Sequence, residues 1–98
     1  MHKRSFTAAV PASIPPKPRA VIEWVCRDRR VTFKELLERS MCRRLVAARR
    51  DAIVRLRNEI HVAGDPMSFE QIGKLLRLHH STVLYHFHLA EGAKNGQN

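Results

Sequence analysis

The chain has 98 residues, with 18 Lys and Arg against 9 Asp and Glu, a formal net charge of +9 and a pI near 10.8. That length allows one small domain, and that charge exceeds what solubility needs, so a polyanionic partner is expected. That partner is nucleic acid or an anionic membrane surface. The membrane is the weaker choice, because no apolar run approaches the roughly 20 residues of a spanning helix and no lipidation signature is present; no membrane partner is expected.

Residues 1–18 are rich in proline and basic side chains. They are expected to form a disordered arm, with PPKP extended near its end. The apolar segment near the N-terminus is short and interrupted by Pro11 and Pro15, which argues against a signal peptide. Cys26 and Cys42 stand apart with no CxxC spacing, as reduced thiols of a cytoplasmic protein do. A helix follows from about Arg19 to Arg29, since Val21, Ile22, Val25 and Cys26 repeat at helical spacing. Trp24 is expected at the edge of its packing. Thr32 is the N-cap of a second short helix, TFKELLERS, with Glu35 completing a capping box.

A long helix is expected from Arg43 to Val62. At 100° per residue Leu45, Ala52, Ile53, Leu56 and Ile60 share one face, and Arg43, Arg50 and Arg57 lie on the other. Arg49 falls close to the apolar stripe, so it is expected to project past the end of the core toward something outside. Ala63-Gly64-Asp65-Pro66 ends this helix. With no strand-like alternation and no internal repeat, the fold class is all-α: a small helical bundle with a long central helix.

Residues 68–87, SFEQIGKLLRLHHSTVLYHF, read as two short helices meeting at a turn. Ser68 and Gln71 form a capping box, Ile72, Leu75 and Leu76 make an apolar stripe, and Gly73 allows a neighbour to approach closely. The stripe breaks at Arg77-Leu78-His79-His80, and a second helix opens at Ser81-Thr82, both competent caps, with Val83, Leu84 and Phe87 as its apolar set. This is the pattern of a C-terminal helix-turn-helix, whose second helix enters the major groove with its N-terminal residues at the base edges. Those residues are His79, His80, Ser81 and Thr82. The same stretch also fits a helical hairpin of any small bundle with histidines facing solvent.

Three stretches together resemble the C-terminal DNA-binding domain (domain IV) of the bacterial chromosomal replication initiator DnaA. FKELLERS is similar to the short helix and leading edge of that domain's basic loop. VAARRDAIVRL is similar to the arginine-led start of its long helix, and IGKLLRLHHSTVLYHF resembles its "IG…DHSTV" signature. Order and spacing agree from about Val21 to Phe87. The resemblance implies a monomeric domain binding a short, asymmetric duplex site, the DnaA box. It assigns base reading to His80, Ser81 and Thr82 and a DNA contact to Arg49 at the start of the long helix. The family's basic-loop arginine is replaced by Met41, with Arg39, Arg43 and Arg44 nearby. Leu78 and His79 replace the arginine and acidic residue that precede the signature histidine, which points to a shifted sequence preference.

Several other chemistries are set aside. His79, His80, His86 and His88 do not converge as four zinc ligands must, so no metal or other cofactor is expected. Ser81 beside His80 lacks the base, orienter and oxyanion site of a nucleophile, so no catalytic residue and no enzyme are expected. The chain has no GxxxxGK[ST] loop and no room for an ATPase domain. Seven arginines between Arg39 and Arg57 face one acid, Asp51, and such single-signed charge favours phosphate contact. The expected domain spans residues 19–92, with a frayed tail at 93–98. Its DNA-binding set is Arg39, Arg43, Arg44, Arg49, Arg50, His79, His80, Ser81 and Thr82. The expected function is sequence-preferring binding of double-stranded DNA at DnaA-box-like sites, regulating replication initiation or transcription at the nucleoid without ATP hydrolysis. The alternative is an adaptor that binds the replication initiator or another part of that machinery.

Overall fold

The computed structural model describes residues 9–95, with side chains to residue 92. Five helices and one two-stranded hairpin follow in the order α1 (Pro16–Arg29), α2 (Phe33–Leu37), α3 (Arg43–Glu59), β1 (His61–Val62), β2 (Asp65–Pro66), α4 (Phe69–Leu76) and α5 (His80–Asn95). The all-α bundle expected from periodicity is present, with α3 at its centre packing against every other helix.

The N-terminal boundary differs from expectation. The prolines of PPKP do not extend the chain; they start α1, with proline in its first turn, where the missing N–H costs nothing and φ is already helical. Ile14 is 8% exposed and joins the core, and Pro18 is buried. The ordered domain therefore reaches back into the expected arm, and residues 1–8 of that arm lie outside the described residues. At the other end α5 continues to Asn95, past the expected start of the tail, and 96–98 lie outside the described residues.

Local chemistry explains most boundaries. The Thr32–Glu35 and Ser68–Gln71 capping boxes both close reciprocally, satisfying amides at the starts of α2 and α4. The long helix stops at Glu59, short of Val62, because Ile60 turns extended and a hairpin begins. Ala63 (φ 54°) and Gly64 (φ 89°) form its tip, the pair of positive φ values that a tight two-residue hairpin requires. This hairpin, absent from the sequence reading, lets Met67 N–H donate to the Ile60 carbonyl at 3.0 Å and returns Met67 to the core.

Ile22, Val25, Leu36, Ala52, Ile53, Leu56, Ile72, Leu76 and Val83 are fully buried around α3. The expected apolar face is thus the core face. However, α3 is covered on more than that face. Arg57 donates to the Met67 carbonyl at 2.9 Å and sits 4.3 Å above the Phe69 ring, and Phe69 meets Phe87 with centroids 5.4 Å apart. This stack ties α4 and α5 to the end of α3. Trp24 is half exposed, with Arg55 stacked on it at 4.2 Å.

Candidate nucleic-acid interface

The junction between α4 and α5 is set by one glycine. Leu78 N–H donates to the Gly73 carbonyl at 2.8 Å, folding the chain back over the end of α4 through Arg77 in the left-handed region (φ 57°). The carbonyl oxygen of Leu78 then lies so close to Gly73 that any Cβ there would collide with it, and Val83 Cγ2 would stand 3.6 Å away. The close approach expected at Gly73 is therefore made by the turn itself. Only three residues, Arg77 to His79, separate the two helices, and fully buried Val83 anchors the second helix on the first.

The cap of α5 is not the one expected. Ser81 and Thr82 lie inside the helix, and His79 occupies the capping position: its carbonyl accepts from Thr82 and Val83 N–H at 3.0 and 3.1 Å. The His79 side chain completes the cap, with Nδ1 accepting from Ser81 N–H at 3.2 Å and lying 2.8 Å from Ser81 Oγ. The rings of His79 and His80 stack with centroids 4.4 Å apart. His79, His80 and Ser81 are exposed and Thr82 is partly so, so the four candidate reading residues stand together at one tip.

The arginines do not form one set. Arg49 is 5% exposed and points into the protein, contrary to the outward projection expected of it. Its Nε donates to the Leu36 carbonyl at 2.9 Å and its Nη2 to the carbonyls of Glu38 and Ser40. The guanidinium thus binds the end of α2 and the following loop, satisfying carbonyls that a short helix leaves bare. Burial lowers its pKa from the ordinary arginine value, with Glu38 opposing. Proximity to the apolar stripe meant burial with hydrogen bonds, not escape from the core. Arg50 is also turned inward, its Nε donating to buried His86 Nδ1 at 3.3 Å. Burial, then Arg50, then Arg49 push the His86 pKa below its ordinary value.

Arg44 leans toward α1, donating to the Arg30 carbonyl at 3.0 Å with Glu35 at 3.8 Å. Arg39 and Arg43 are exposed and make no ion pair or side-chain hydrogen bond among the described residues. Met41, between them, is 83% exposed. Cys42 is exposed there too, its pKa lowered by the backbone amides of Arg44 and Leu45, whereas burial, with Glu23 and Glu35 adding, pushes Cys26 up to about 11. Of the single-signed run, then, Arg55 pairs with Asp51 and Glu59, and Arg44 with Glu35 and the Arg30 carbonyl. Arg49, Arg50 and Arg57 serve the interior, and among the described residues only Arg39 and Arg43 stay free for a partner.

Three further residues share this surface, of which the sequence suggested only Tyr85, as a residue able to stack on bases. Tyr85 (61% exposed) and exposed His88 fall four and seven positions after Ser81, continuing its face along α5, and that spacing was visible in the sequence. Arg77 is exposed in the turn itself. Among the described residues no helix is long and apolar enough to cross a membrane, and no group of three His, Cys, Asp or Glu side chains converges. Comparison with protein-family models, with curated proteins and with solved structures gives no match to this chain.

Proposed function

We propose that this protein is a sequence-preferring binder of double-stranded DNA, engaging a short asymmetric site as a monomer. The resemblance to the initiator's DNA-binding domain extends the proposal to DnaA-box-like sites and to control of replication initiation or transcription. The observation that carries the reading is the cluster of exposed His79, His80 and Ser81 with partly exposed Thr82 at the start of a helix held by a three-residue turn. In a helix-turn-helix these positions meet base edges, and their side chains all form hydrogen bonds. Arg39, Arg43, Arg77 and Lys74, exposed and unpaired among the described residues, supply positive charge for phosphate. Arg49 is not part of this set; its place is structural.

Selection of random duplexes on the purified protein tests the proposal. Enrichment of one asymmetric sequence is the expected result. Retention of duplexes with no enrichment refutes sequence reading, and a chain that ignores duplex DNA yet holds a replication protein is the adaptor instead.

A further inference from the structure

Resting on that reading, the geometry points to His79 as a specificity-determining residue that donates to an acceptor on a base edge, guanine foremost, and rejects cytosine. A histidine ring offers one donor and one acceptor when neutral, and which nitrogen holds the proton is set by its neighbours. Here the neighbour decides. Ser81 N–H lies 3.2 Å from Nδ1, and a backbone amide can only donate. Nδ1 must therefore carry the lone pair, and the neutral ring holds its proton on Nε2. The Ser81 hydroxyl, 2.8 Å from the same nitrogen, can turn its proton toward it and reinforce the choice.

The side chain thus spends its acceptor on the helix and keeps one donor for the outside. The ring is exposed, and stacking against His80 at 4.4 Å, with 32° between planes, restrains its orientation. In the major groove guanine offers two adjacent acceptors, N7 and O6, adenine offers N7, and thymine O4, whereas cytosine offers a donor amino group. A lone Nε2–H meets acceptors at the first three and a competing donor at cytosine. Guanine, with two acceptors side by side, tolerates the most variation in approach.

The test uses two substitutions that keep the cap. Aspartate and asparagine are both strong N-cap residues, so His79→Asp and His79→Asn should fold. Aspartate removes the donor and supplies only acceptors, which suit the cytosine amino group; asparagine retains a donor. Each protein is taken through selection and then through binding to all single base-pair variants of the wild-type site. At one position wild type and His79→Asn should prefer guanine over cytosine by about five- to tenfold, the worth of one hydrogen bond. His79→Asp should reverse that ranking at the same position, whatever its overall affinity. In the free protein, nitrogen-15 NMR of the neutral ring should find Nε2 protonated and Nδ1 bare. If wild type selects a site but His79→Asp leaves every base ranking unchanged, the His79 assignment is overturned and duplex reading stands. A protonated Nδ1 in the neutral ring overturns it as well. If wild type selects no sequence, duplex reading itself fails and takes this assignment with it.

Discussion

Replacing Arg49 by alanine should unfold this domain more readily, not merely weaken its grip on DNA. The guanidinium holds three carbonyls from two elements, Leu36 at the end of α2 and Glu38 and Ser40 in the loop that leads to α3. A five-residue helix such as α2 has little stability of its own, so its place depends on such tertiary bonds. Hydrogen bonds to a charged group contribute about 1.5–3 kcal/mol each, and a buried acceptor left bare keeps its desolvation cost. The Leu36 carbonyl meets that condition fully, since Leu36 is 0% exposed; the loop carbonyls can recover water. Counting the Leu36 bond in full and the two loop bonds only in part, the loss is about 3–4 kcal/mol, a large share of the 5–15 kcal/mol typical of a domain. Urea unfolding followed by circular dichroism reads it as a lower midpoint at unchanged slope. Arg49→Lys should recover only part, because an ammonium cannot span all three acceptors. An Arg49→Ala protein within about 1 kcal/mol of wild type, but with much weaker duplex binding, would refute this and make Arg49 a DNA contact.

Three further outcomes follow from the same packing. Gly73→Ala should destabilise by about 2–3 kcal/mol, since the added Cβ meets a backbone carbonyl that can move only with the whole turn; unchanged thermal stability would contradict that contact. His86, whose pKa is depressed in the folded protein, favours folding fully above the unfolded value of about 6.5, and that contribution is lost as pH falls from there toward the folded pKa. Melting temperature should therefore drop below pH 6.5 in wild type and drop less in His86→Gln, which keeps an acceptor for Arg50; parallel curves would refute it. Finally, with Arg39, Arg43, Lys74 and Arg77 as phosphate contacts, log K should fall with log salt at a slope of about −3 to −4, shallower by about one in Arg43→Ala. A slope shallower than about −2 would contradict the phosphate contacts.

What the sequence made legible was local. Capping boxes at Thr32–Glu35 and Ser68–Gln71 need only residues three apart, and both are present. The stripe of Leu45, Ala52, Ile53, Leu56 and Ile60 needs only helical period, and all five are buried. Gly73 was legible because no other residue tolerates such an approach. Arg49 was not, because its three acceptors lie 9 to 13 residues upstream, at the end of α2 and in the loop after it, whose position only the packed fold defines. The His79 cap was hidden by better-known capping residues just after it; the helix starts two residues earlier than a Ser81 cap implies. The start of α1 was missed because prolines read as disorder unless the buried Ile14 and Pro18 beside them are known. For the candidate site, His79, His80, Ser81 and Thr82 stand together at one helix tip, while the basic set thinned because a linear charge run cannot tell an outward arginine from an internal donor.

Whether α5 reads bases is tested most directly by His80→Ala, measured on the selected site and on random duplex at two salt concentrations. His80 is exposed at the first residue of α5 and carries no cap bond, so its loss should leave folding intact. If the helix tip reads sequence, the substitution costs about 1–3 kcal/mol on the selected site and far less on random duplex, at the same salt slope on both. Equal losses on the two duplexes would mean that this helix does not read sequence.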